Sequence, residues 1–227
     1  MEVESDFEPR WFWPVSAMFS GSSGTGKTVR TLQWIRNIDS VFCDAPPNLK
    51  VYYIFATDQP IFNEYRSYVR FFPSFDYPEL SPEAIAQNRD ILYVFDDTVG
   101  DADQELLRKL FTVYVHHLNC SVILLFHHLT SRKLKYGPEL SANCHVFIFT
   151  YSPSNQSSLR LFAQRYFGNQ WRQFMAAVED CLVGNGAASR FSYITVNFSP
   201  KTHSKYRIST FLVPHEEGPR LFYVLNK

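Results

Sequence analysis

Short apolar runs alternate with polar, turn-rich stretches along most of the chain. "VSAMFSG" (15–21), "KVYYIFAT" (50–57), "DILYVFDD" (90–97), "SVILLFHH" (121–128) and "CHVFIFT" (144–150) are near-continuous apolar segments rich in β-branched and aromatic residues. Such short runs predict buried strands. The segment from Lys27 to about Val41 carries Val29, Leu32, Ile35 and Val41, which suits a helix. "QPIFNEYRSYVRFF" (59–72) also reads as a helix, and "PSFDYPELSP" (73–82), with its three prolines, as a loop. "DADQELLRKLFTVYVHHLN" (101–119) predicts an amphipathic helix whose early acids suit the positive helix N-terminus. "LTSRKLKYGPELSAN" (129–143) reads as a polar, basic connector. Helices are expected at about 154–166 and 168–182, and strands in "FSYITVNFSP" (191–200), "YRISTFLVP" (206–214) and "LFYVL" (221–225).

Strands that alternate with helices predict a mostly parallel sheet covered on both faces. The last three strands lack intervening helices and are expected to extend that sheet in antiparallel fashion. The acidic opening "MEVESDFEPR" (1–10) reads as a mobile tail, and 11–227 as one domain.

Composition narrows the function classes. The 227 residues carry 22 basic and 22 acidic side chains, so no whole-protein positive field points to nucleic acid. Any such contact has to come from a local patch. Cys43, Cys120, Cys144 and Cys181 form no C-x-x-C pair, which argues against zinc and for a reducing compartment. No apolar run approaches the ~20 residues of a membrane span, and the N-terminus resembles no signal peptide.

The chemistry starts at "GSSGTGKT" (21–28), which fits G-x-x-x-x-G-K-[ST]. Gly21, Ser22, Ser23, Gly24, Thr25, Gly26, Lys27 and Thr28 would form a loop whose backbone N–H groups cradle phosphates. Lys27 would reach the β- and γ-phosphates of ATP, and Thr28 would ligate Mg²⁺. The paired acids that close "ILYVFDD" end a buried strand, the position that lands beside such a loop. Asp96 would hold Mg²⁺ through water, and Asp97 would orient or deprotonate the attacking water. A strand that ends in His127 and His128 follows, and either imidazole could sense the γ-phosphate. Adjacent histidines do not share a face, so a metal site at His116–His117 or His127–His128 is disfavoured.

Four blocks in order carry a family resemblance: "MFSGSSGTGKTVR", "ILYVFDDTV", "VILLFHHL" and "LSANCHVFIFTYSPSNQSSLRLFAQRYF". Together with the closing "FSYITVNFSPKTHSKYRISTFLVP", they resemble the viral genome-packaging ATPases of the FtsK–HerA superfamily, above all those of poxviruses, Polintons, adintoviruses and virophages. The resemblance spans about residues 14–215. It departs where the family's Gln-Asn pair is replaced by His127–His128, and where "Lys-Asn-Pro-Arg-Asp" is replaced by Tyr151–Asn155. Asn143 matches the family's Asn before the fifth strand.

The resemblance implies a P-loop three-layer α/β sandwich of the type with an additional strand and a catalytic acid. It also implies a homo-oligomeric ring that drives double-stranded DNA, bound without sequence preference, into a preformed capsid or portal vertex. The setting would be an infected cell, at a nuclear or cytoplasmic assembly site, or the virion. Such rings use an arginine from the neighbouring subunit, for which Arg132, Arg160 and Arg165 are candidates. The basic clusters "SRKLK" (131–135) and "KTHSKYR" (201–207) offer Arg132, Lys133, Lys135, Lys201, Lys205 and Arg207 for DNA phosphates. A nucleoside or nucleotide kinase and a nucleotide-bound capsid assembly protein are the alternative readings.

Overall fold

The computed structural model describes residues 10–98, 100, 103–127, 135–150, 155–182, 191–213 and 221–225. The chain enters through β1 (Trp11–Phe12) and β2 (Ser16–Ser20), then forms α1 (Lys27–Arg36) and α2 (Ile38–Val41). It continues through β3 (Phe42–Cys43), β4 (Lys50–Phe55), β5 (Val69–Phe72), α3 (Pro82–Gln87) and β6 (Ile91–Asp96). Next come α4 (Gln104–Lys109), a π-helical turn (Leu110–Tyr114), α5 (Val115–His117) and β7 (Ser121–Phe126). Then follow α6 (Gly137–Ala142), β8 (Val146–Thr150), α7 (Gln156–Phe167) and α8 (Trp171–Leu182). β9 (Tyr193–Asn197) and β10 (Ile208–Ser209) close the sheet.

Among the described residues, eight strands form one sheet in the order β10-β9-β8-β2-β7-β6-β4-β5. From β8 to β5 the neighbours are parallel, and β9 and β10 are added antiparallel. β7 lies between β2 and β6, so the loop strand and the acid strand flank the strand that ends at the histidines. The α/β class and the parallel centre are as the sequence predicts; of the three antiparallel strands expected at the C-terminus, β9 and β10 form, β10 over two residues, and 221–225 contributes one isolated bridge, Phe222 to Ser209.

The continuous apolar runs follow from burial on both faces, because successive side chains of a strand point to opposite sides. Met18, Tyr93, Phe95, Leu124 and Phe147 face α4, α7 and α8. Their neighbours Phe19, Val94, Leu125 and Ile148 face α1 and the tryptophans Trp11, Trp13 and Trp34. The aromatic wealth is therefore core: Trp34 stacks on Phe19 at 5.5 Å, and Phe162 meets Phe149 at 4.7 Å.

Other expectations are corrected too. Residues 59–72 are not a helix: a 3₁₀ turn (Pro60–Glu64) leads into β5, which pairs with β4. Phe62, Tyr65 and Val69 have the spacing of a buried helical face, yet turn and strand bury them equally well. The stretch 73–82 is not only loop: it holds a 3₁₀ turn at Pro78–Leu80, and α3 begins at Pro82. The Ser81 hydroxyl caps α3 by accepting from the Ala84 N–H at 3.2 Å, and proline suits the first helical position. The described part of 129–143 contains α6 rather than a plain connector. The expected tail lies outside the described residues except Arg10, whose guanidinium donates to the Phe42 carbonyl at 2.7 Å.

Candidate nucleotide site

The loop 21–26 leaves β2 at the carboxyl end of the parallel strands and turns directly into α1. Gly24 (φ 75°) and Gly26 (φ 84°) take left-handed backbone, which a side chain resists. Gly21 is required for another reason. A Cβ there would lie 1.9 Å from the Thr150 hydroxyl at the tip of β8. That hydroxyl donates to Thr25 Oγ1 at 2.9 Å, and Thr25 in turn donates to the Ser22 carbonyl at 2.8 Å. The loop is thus pinned to β8 as well as β2. Ser23 and Gly24 are exposed at its crown.

Lys27 opens α1 and is 6% exposed. Its ammonium donates to the carbonyls of Gly21 (2.7 Å) and Ser22 (3.2 Å), so the loop itself holds the cation in its concavity. Burial pulls the Lys27 pKa down, while Asp97 and Asp96 push it back up.

Asp96 closes β6 and is buried. Its Oδ2 accepts from the Thr28 hydroxyl at 2.7 Å and from the Tyr53 hydroxyl at 2.7 Å. Burial raises the Asp96 pKa, and the bonds from Tyr53 and Thr28 oppose that rise. Gln59 reaches Thr28 Oγ1 at 3.5 Å. A hydroxyl and a carboxylate in direct contact are the hard oxygen donors that Mg²⁺ takes alongside phosphates and water. Thr28 and Asp96 therefore fit that ion.

Asp97 adopts left-handed backbone (φ 55°), an uncommon state for a residue with a side chain. Its N–H donates to the Leu125 carbonyl of β7 at 3.1 Å, which holds that turn in place. The turn aims the carboxylate out of the sheet toward His127. His127 Nε2 lies 3.2 Å from Asp97 Oδ2, and its Nδ1 lies 3.5 Å from the Lys27 ammonium. An ammonium can only donate, so Nδ1 accepts and Nε2–H donates to Asp97. One imidazole thus joins the loop lysine to the second acid.

No protein-family model matches the chain, and no curated protein matches it. Solved structures do. The genome packaging NTPase B204 from Sulfolobus turreted icosahedral virus 2 in complex with AMPPCP superposes with a TM-score of 0.54 at 9% identity. That match covers 86% of this chain and 96% of that one. The same protein with ATP-gammaS gives 0.52 at 11% identity, over 86% of this chain and 96% of that one. B204, the DNA-packaging ATPase from Sulfolobus turreted icosahedral virus, gives 0.52 at 8% identity, over 83% and 94%. The fold is that of a P-loop NTPase.

Within this P-loop fold the predicted site residues separate into groups. Lys27, Thr28, Asp96, Asp97 and His127 converge at adjacent strand ends. His128, Arg132 and Lys133 lie outside the described residues. Arg160 and Arg165 sit on α7 with their guanidiniums over Trp171 (5.9 Å) and Tyr166 (5.4 Å) of the same chain. The Lys135 ammonium lies 5.1 Å from the Tyr136 ring. Asn143 caps α6, bonding back to the Glu139 carbonyl at 2.9 Å. Lys201, Lys205 and Arg207 follow the end of β9 that pairs with the start of β8. They are therefore at the opposite end of the sheet from the phosphate loop. Among the described residues no group of three or more His, Cys, Asp and Glu gathers as a metal site, and no helix is long and apolar enough to cross a membrane.

The sequence reading gave Tyr53, Thr150 and Asn155 no role in the site. Tyr53 hides inside an apolar strand and reveals its role only through the pairing of β4 with β6. Thr150 ends β8 beside Ser20 at the end of β2, a placement set by the pairing of those two strands. Asn155 is buried, with its amide 3.5 Å from the His127 carbonyl.

Proposed function

We propose that this chain is a Mg²⁺-dependent ATPase that drives double-stranded DNA into a preformed viral capsid as a homo-oligomeric ring. The observation that carries the hydrolase part is the convergence of Lys27, Thr28, Asp96, Asp97 and His127 on one end of three neighbouring strands. The loop N–H groups and Lys27 bind and orient the phosphates. Thr28 and Asp96 would hold Mg²⁺, which supplies charge neutralisation at the phosphate oxygens. Asp97 takes the proton of a water attacking the γ-phosphorus, and the His127 Nε2–H holds its carboxylate in place. The half-exposed position of Asp97 lets water reach it.

The packaging role rests on the four-block sequence resemblance and on a fold shared with genome-packaging NTPases over most of both chains. The same resemblance favours the poxvirus–Polinton branch and a viral assembly site in the infected cell. A transferred arginine would come from the neighbouring subunit, with Arg132 the candidate.

Phosphate release measured with and without double-stranded DNA tests the proposal. DNA should speed turnover. Lys27→Ala should abolish it, and Asp97→Asn should lower it by about a hundredfold or more. Phosphoryl transfer to a nucleoside would establish the kinase reading instead, and slow turnover indifferent to DNA the assembly-protein reading.

A further inference from the structure

We infer that Phe191 is the stacking platform for the nucleotide's base. The inference rests on the nucleotide-hydrolase reading and extends it to a residue that no part of the phosphate-loop pattern contains. Phe191 stands two positions before Tyr193, the first residue of β9. Tyr193 pairs with Thr150 at the carboxyl end of β8, so the chain just before it extends past the sheet on the loop's side. Phe191 sits in the turn that leads into β9, and its contact with Gly26 shows which side it takes. Tyr193 faces α1, with its ring 5.5 Å from Trp34, and Phe191 lies against Gly26 at the cap of that helix.

It emerges against the phosphate loop. A Cβ built on Gly26 would lie 2.9 Å from Phe191 Cδ1 and 3.6 Å from Cε1, so the ring edge rests directly on Gly26. Gly26 caps α1 immediately before Lys27 and Thr28. The absence of a side chain at Gly26 thus serves the approach of this ring as well as the left-handed turn. Phe191 is 41% exposed although it touches the loop, an unusual exposure for a large apolar ring in a chain whose other rings are mostly core. Val29, the first residue after the motif, is 40% exposed on the same turn of α1. At the next residue, the Arg30 guanidinium lies 5.3 Å from the Tyr193 ring.

These positions form a line: phosphates in the loop, the first turn of α1 beside them, and an exposed aromatic face next to its cap. The loop pattern cradles the α- and β-phosphates on the backbone N–H groups of the glycine-rich loop, with Lys27 reaching the β- and γ-phosphates. A nucleoside attached there extends along the α1 side, and its base meets the Phe191 face. Every base has a π-face, so stacking supports purines over pyrimidines by ring area, without hydrogen-bond readout.

The test compares ATP with inorganic tripolyphosphate, which has the phosphates and no base. Dissociation constants are measured by calorimetry for the full chain, Phe191→Ala and Phe191→Trp. Removing the ring should weaken ATP about tenfold and leave tripolyphosphate unchanged. Phe191→Trp should restore ATP affinity, with its added tryptophan fluorescence quenched by ATP and not by tripolyphosphate. Equal ATP affinity in the alanine variant, or equal loss of both ligands, would overturn the inference while leaving the hydrolase reading intact. A wild-type chain that binds neither ligand would remove both.

Discussion

Tyr53 places a phenol hydroxyl 2.7 Å from the carboxylate oxygen that Thr28 also uses, in a spot closed to solvent. Two donors on one oxygen fix the rotamer of Asp96 and orient its other oxygen. Tyr53→Phe keeps the ring's packing and removes one of those bonds. The expected result is weaker Mg²⁺ support of nucleotide binding, by roughly tenfold or more, the range of one hydrogen bond to a charged group. Titrating Mg²⁺ against a fluorescent ATP analogue measures it, and the variant should melt as a folded protein. Asp97 makes a different point. Its left-handed backbone is uncommon for a side-chain-bearing residue, and asparagine tolerates that conformation best after glycine. Asp97→Asn is therefore the variant that isolates the carboxylate, whereas Asp97→Ala also adds backbone strain.

Helices and strands set the loop's environment, and the tightest dependence is between β2 and β8. Gly21→Ala would drive a methyl group into the Thr150 hydroxyl. The variant should melt lower and lose ATP binding, and Gly21→Ala combined with Thr150→Ala should recover part of both, as thermal melts and calorimetry would show. At this scale the sequence was legible where local pattern and tertiary demand agreed. Strands buried on both faces read as apolar runs, and β2, β4, β6 and β7 stand within a residue or two of the expected limits. Lys27 and Thr28 could be placed together by the spacing of the loop motif, and the acids by their position at the end of a buried strand, and the structure brings them together. Residues 59–72 misled because Phe62, Tyr65 and Val69 satisfy the helical period and also fit a turn followed by an edge strand. The contacts of Tyr53, Thr150 and Phe191 depend on which strands lie side by side, and periodicity holds no record of that.

Across the whole molecule the two ends of the sheet behave differently. The carboxyl end carries the glycine-rich loop and the paired acids, and the amino end is closed by a polar seam at the start of β8. There His145 Nδ1 accepts from the Ser16 N–H at 3.1 Å, with the His116 ring 5.8 Å away. Burial lowers the His145 pKa, and the neighbouring His116 lowers it further. The unfolded chain takes up a proton below about pH 6.5 that the folded one resists. This contribution is complete above that pH and declines as pH falls through it. Melting temperature should therefore drop on acidification from about pH 7.5 to 5.5, and the drop should be shallower in His145→Asn. The margins of the sheet complete the contrast. β5 gives four residues with Arg70 exposed among them, and β10 gives only two. Neither margin offers another strand a long run of free backbone, and a charged edge further discourages it. Copies of the folded chain can crowd together with little risk of fusing edge to edge into fibres.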